Sequence, residues 1–81
     1  MTMPTDQELI NAFYDGYVIQ AGKGNADKVF SVVFDNGEVK YMRAPNISTA
    51  NKFSREYGMR FANGARPLFV TLDHQGKFVK K

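Results

Sequence analysis

No cysteine occurs among the 81 residues, which removes disulfides, thiolate catalysis and cysteine-based zinc sites together. Such a composition is compatible with a reducing interior. Histidine is almost as scarce, and His74 stands alone. Without a second histidine or a cysteine, a zinc ion there would have to be held by carboxylates. A nucleophile–base pair meets the same obstacle, because the only acid beside His74 is Asp73, adjacent in sequence rather than facing it. The expected place of His74 is a solvated turn. No apolar run approaches the ~18 residues of a membrane span, and the opening MTMPTDQE lacks the basic start of a signal peptide. These absences lead to the expectation of a soluble, cytoplasmic protein that does not engage a membrane.

A phosphate-binding loop is missing as well. The stretch GKGNADK, residues 22–28, has two glycines in the spacing of a dinucleotide loop, but Asp27 stands where the third would be. The next element reads as a strand, whereas the pyrophosphate of a dinucleotide meets a helix N-terminus. There is no Gly-Lys-Ser/Thr either, and an acid in the loop repels phosphate. GKGNADK therefore reads as a connection between strands, and no cofactor is expected. Paired carboxylates are available for glycoside chemistry, but a chain this small has little room for the cleft that would exclude water. The expectation is a protein that is not an enzyme.

What the chain does contain is enough to fold. Apolar residues are 43% and aromatics 14%, ordinary for a globular sequence and too rich for disorder. The length suits one domain, residues 1–81, near the lower size limit for folding alone, so self-association as a homodimer is a further expectation. The net charge of +3 is unevenly spread. Met1 to Glu38 holds two basic and six acidic residues, a balance of −4, and Val39 to Lys81 holds nine basic and two acidic, +7. An acidic partner for the second half follows, or else a surface in which folding mixes the two halves.

Thr5-Asp6-Gln7-Glu8 is a capping-box pattern, and Leu9, Ile10 and Phe13 follow at helical spacing. A helix is expected from Asp6 to Asp15, stopped by Gly16 in the left-handed region. Tyr17 to Ala21 reads as a short strand. In VFSVVFDNGEVKYMR, Asn36-Gly37 is the preferred pair for a two-residue type I′ hairpin. That turn would oppose Phe34 to Val39, Val32 to Tyr41 and Phe30 to Arg43 on a core side. Ser31 with Met42 and Val33 with Lys40 would lie on an outer side. Asn46 can cap a second helix with the stripe Ile47, Ala50, Phe53 and Tyr57, ending at Gly58 or at Asn63. Leu68 to Asp73 alternates as a strand with Pro67 at its start, and Asp73 to Gly76 reads as a turn returning through Lys77-Phe78-Val79. The fold class expected is α+β, in the order α-β-β-β-α-β-β, with an antiparallel sheet and two short helices packed on one face.

Binding is the function class these residues favour. The expected partner site is the basic set Lys52, Arg55, Arg60, Arg66 and Lys77, able to meet phosphates or an acidic protein face. Lys40 and Met42 on the outer sheet side are secondary candidates. Tyr41, Phe69 and Phe78 are available as stacking groups of the kind found on single-strand-binding sheets, or else as core.

The order from Thr5 to Tyr57, a helix, three strands and a helix, resembles double-stranded-RNA-binding domains. Their lysine-rich helix start is replaced here by Asn46-Ile47-Ser48-Thr49-Ala50-Asn51-Lys52. The three-stranded sheet with a helix also resembles AP2 and integrase arm-binding DNA modules. The layout FSVVFDNGEVKYMRAPNISTANKFSREYG resembles small phage-encoded anti-CRISPR proteins in size and element order. That resemblance implies a non-catalytic inhibitor occluding a protein or ribonucleoprotein complex. The alternative is a nucleic-acid-binding module using the same basic residues on phosphates.

Overall fold

The computed structural model describes residues 3–20 and 28–81. The capping box forms as the sequence predicts. Thr5 Oγ1 accepts from the Glu8 amide at 3.2 Å, and Glu8 Oε1 accepts from the Thr5 amide at 3.0 Å. The first helix, α1 (Asp6–Ala12), stops three residues earlier than Asp15. Phe13 takes an extended conformation and starts a two-residue strand, β1 (Phe13–Tyr14), paired with the strand that contains Met42. Phe13 gains burial and a stacked ring, Tyr57, at 4.2 Å. Gly16 does not adopt positive φ, because the helix has already ended.

The remaining elements are β2 (Tyr17–Ile19), β3 (Lys28–Phe34), β4 (Val39–Ala44), α2 (Ile47–Phe61), β5 (Pro67–Gln75) and β6 (Phe78–Lys80). The α+β class and the order predicted for it are observed, with β1 as one short strand more. All pairing among the described residues is antiparallel. The main sheet has the order β1-β4-β3-β5, and β2 pairs with β6 in a separate ribbon. The hairpin return from β5 to β6 is thus corrected. Gly76, at φ +132°, turns the chain away so that Val79 meets Val18 instead of β5. Tyr17 anchors this ribbon by edge-on contacts with Tyr41 at 5.4 Å and Phe78 at 6.2 Å, and its hydroxyl donates to Asp73.

The β3–β4 hairpin forms with a register one residue from that predicted. The Gly37 amide donates to the Phe34 carbonyl, and the Phe34 amide donates to the Glu38 carbonyl at 2.9 Å. Within the hairpin loop only Gly37 has positive φ, +89°, so Asp35, Asn36 and Gly37 make a three-residue loop, not a type I′ pair. Asn36 Oδ1 instead accepts from the Glu38 amide. Phe30 consequently faces Met42 and Val32 faces Lys40. A one-residue slip turns every side chain of a strand to the other face. Met42 and Ala44 enter the core, while Arg43 is exposed.

Helix α2 is capped by Asn46 Oδ1, which accepts from the Thr49 amide at 2.9 Å. It runs past Gly58 to Phe61 and ends in Asn63 and Gly64, both at positive φ, with the Gly64 amide donating to the Gly58 carbonyl. The stripe it buries is Ala50, Ser54 and Gly58, with Phe53 and Tyr57 half-buried beside it and Ile47 exposed. Small residues let the helix axis approach the sheet, which a row of large side chains would prevent. The core gathers Leu9 and Phe13 with Phe30, Val32, Phe34, Met42 and Ala44, roofed by Ala50, Ala62 and Ala65. Both helices therefore cover the same sheet face, and α2 lies chiefly over β5.

Candidate functional site

The fold separates the basic residues singled out in the sequence. Arg60 is absorbed internally. Its Nη1 donates to the Pro4 carbonyl at 2.6 Å and to Asp6 Oδ1 at 3.2 Å, and its Nη2 donates to Glu56 Oε1 at 2.9 Å. It fastens the N-terminal segment to α2, and through it the nearly buried Glu56 acquires its counter-charge. Lys52 is half-buried and already has an interaction partner. Lys77 is exposed between β5 and β6, at the opposite end of β5 from Arg66.

The two secondary candidates do not lie on the outer sheet side. Met42 is fully buried on the helix side, where Ser54 Oγ lies 3.5 Å from its sulfur. Lys40 also points to the helix side, and its Nζ pairs with Asp15 Oδ1 at 2.5 Å. That hydrogen bond raises the Lys40 pKa above its ordinary value against the opposing effect of burial. The reason for both corrections is the hairpin slip described above. The stacking row is likewise not assembled. Tyr41 is half-buried and Phe78 buried around Tyr17, leaving only Phe69 of the three exposed.

What the fold does bring together is Arg55 and Arg66. Both line a groove of about 640 Å³, with Asn51 and Met59 on the α2 wall and Gly64, Ala65 and Pro67 on the connector into β5. Asn51, Arg55 and Met59 are spaced four residues apart, so they form one flank of the helix. Neither guanidinium has an ion-pair partner among the described residues. The nearby Asp35 is occupied by backbone, since its Oδ1 accepts from the Arg66 amide at 3.1 Å. Pro67 leads directly to Leu68 and Phe69, 57% and 64% exposed. Charge counting found the two arginines. The apolar wall at Met59 and Pro67 was missed, and the four-residue spacing from Asn51 to Met59 is the signal that carried it.

His74 belongs to β5, half-buried opposite Val29, and not to a turn. Among the described residues, no cluster of three acidic, histidine or cysteine side chains is placed to hold a metal, and no helix is long and apolar enough to cross a membrane. The loop GKGNADK lies outside the described residues except for Lys28, which opens β3. Comparison with family models, curated proteins and solved structures finds no match.

Proposed function

We propose that this protein is a non-enzymatic binding module that docks an acidic protein surface on the groove between α2 and the start of β5. The observation that carries the reading is the pair Arg55 and Arg66, without carboxylate partners among the described residues and set against Met59 and Pro67. Arginine, methionine and aromatic side chains are what the buried centres of protein interfaces are enriched in. A surface that tracks a nucleic-acid backbone needs a run of cations along one face. Here Arg60 is tied down internally and Lys77 lies at the far end of β5, which favours a protein partner over phosphates. Occlusion of a surface on a nucleoprotein complex, the role implied by the resemblance to anti-CRISPR-type inhibitors, is compatible with such a module.

Capture from cell extract, with and without nuclease, tests the choice. The proposal expects a protein retained after nuclease treatment, and released by the double change Arg55→Glu with Arg66→Glu. Capture that vanishes with nuclease, and that falls steeply with salt in wild type, supports the nucleic-acid reading instead.

A further inference from the structure

The strand beside the groove is open on one side. β5 ends the main sheet, and among the described residues no strand pairs with its outer edge. In an antiparallel strand alternate residues direct both N–H and C=O away from the paired neighbour, so an edge strand offers a row of unpaired groups. Two irregularities, at Leu68 and at Asp73, bracket the regular stretch Phe69-Val70-Thr71-Leu72, which pairs with Val33 through Phe30. No charge occurs from Pro67 to Leu72, although edges are commonly guarded by lysine.

Helix α2 forms a wall beside this edge. Ala50, Ser54 and Gly58 face the sheet, and Tyr57 stacks on Phe13 toward β1. The flank bearing Asn51, Arg55 and Met59 therefore points the other way, over the free side of β5. A helix flank and an open strand edge with a groove between them is the geometry in which an extended peptide adds to a sheet.

We propose that an extended acidic segment of a partner protein binds here as a fifth strand along β5, with its carboxylates at Arg55 and Arg66. The inference rests on the function proposed above and gives that partner a conformation. A second copy of this chain is the poorer occupant. It would bring its own Arg55 and Arg66 to the same edge, with Asp73 already engaged by the Tyr17 hydroxyl. An acidic strand meets no such repulsion, and bidentate arginine–carboxylate pairs would fix its register.

The probe is an end-capped peptide alternating glutamate with threonine, compared with its analogue N-methylated at alternate residues. The two have the same charge, but the analogue cannot complete a strand ladder. Titration calorimetry and amide hydrogen exchange are read together. The expected result is binding of the first peptide, with exchange slowed at outward amides within Phe69–Leu72. N-methylation should weaken it by roughly tenfold or more, as should Arg55→Ala with Arg66→Ala in a protein whose unmixed exchange pattern is unchanged. Equal binding of both peptides overturns strand addition while leaving the arginine groove standing. No binding of the glutamate peptide also overturns it, and the capture experiment then judges the broader reading by itself. Protection of β5 that rises with protein concentration and without peptide overturns it in favour of self-pairing.

Discussion

Gly58 decides how closely α2 can lie on the sheet. A Cβ at this position would collide with the carbonyl oxygen of Ala65 and press on the Phe34 ring at 3.3 Å. The connector cannot retreat cheaply, because Ala65 is buried and its amide is bound to the Ala62 carbonyl. Gly58→Ala should therefore destabilise by about 2 kcal/mol in urea unfolding, within the usual cost of overpacking. A wild-type midpoint would show that the connector moves freely. Gly37 differs, since open space surrounds its missing Cβ and only its φ of +89° resists a side chain. Gly37→Ala should cost about 1 kcal/mol through backbone strain alone. Lys40 adds a pH signature. Its pKa is raised by the hydrogen bond with Asp15, so the pair contributes stability at neutral pH that is lost as pH rises through the folded-state value. Asp15 is largely exposed, which limits the contribution to roughly 0.5 kcal/mol. The stability difference between wild type and Lys40→Met should therefore be small at pH 7 and close above the ordinary lysine value of 10.5. A difference that grows with pH would contradict this assignment.

At the scale of elements, α1 has seven residues, too few to persist without its cap and its packing. Thr5→Ala removes the acceptor for the Glu8 amide and should cost about 1 kcal/mol, with faster hydrogen exchange confined to α1. Exchange that stays unchanged would mean that Leu9 and the Arg60 tie hold the helix without the cap. Both N-caps were legible in the sequence because each is a contact within three residues, Thr5 to Glu8 and Asn46 to Thr49. The hairpin was legible, but its register was not. Asn-Gly suits a two-residue loop, and glycine also closes a three-residue one. Burial of Met42 and Ala44 chose between them, and that choice depends on helices distant in sequence. The partner of β6 was hidden for a related reason. A short connection favours pairing with β5, yet Phe78 is buried beside Tyr17, more than fifty positions earlier. The stripe of α2 was misjudged because hydrophobic periodicity counts large side chains, and the face that packs is made of alanine, serine and glycine.

For the whole molecule, the uneven charge of the two halves is partly resolved by folding. Asp6 and Asp15 of the first half pair with Arg60 and Lys40 of the second, and Arg60 also meets Glu56 within the second half. Arg55 and Arg66 are left together, which sequence could nominate but not assemble, since the approach of α2 to Pro67 depends on the turn at Asn63 and Gly64. That pair is the proposed centre of partner binding. Both side chains are exposed, so Arg55→Glu with Arg66→Glu should leave unfolding free energy within about 0.5 kcal/mol of wild type. The most direct measurement is the affinity of this double variant, against wild type, for the protein captured by the wild-type chain. A loss of at least roughly tenfold, about 1.4 kcal/mol, with stability unchanged is the predicted result. Equal affinity in a folded double variant would contradict the account and leave the groove as solvated surface.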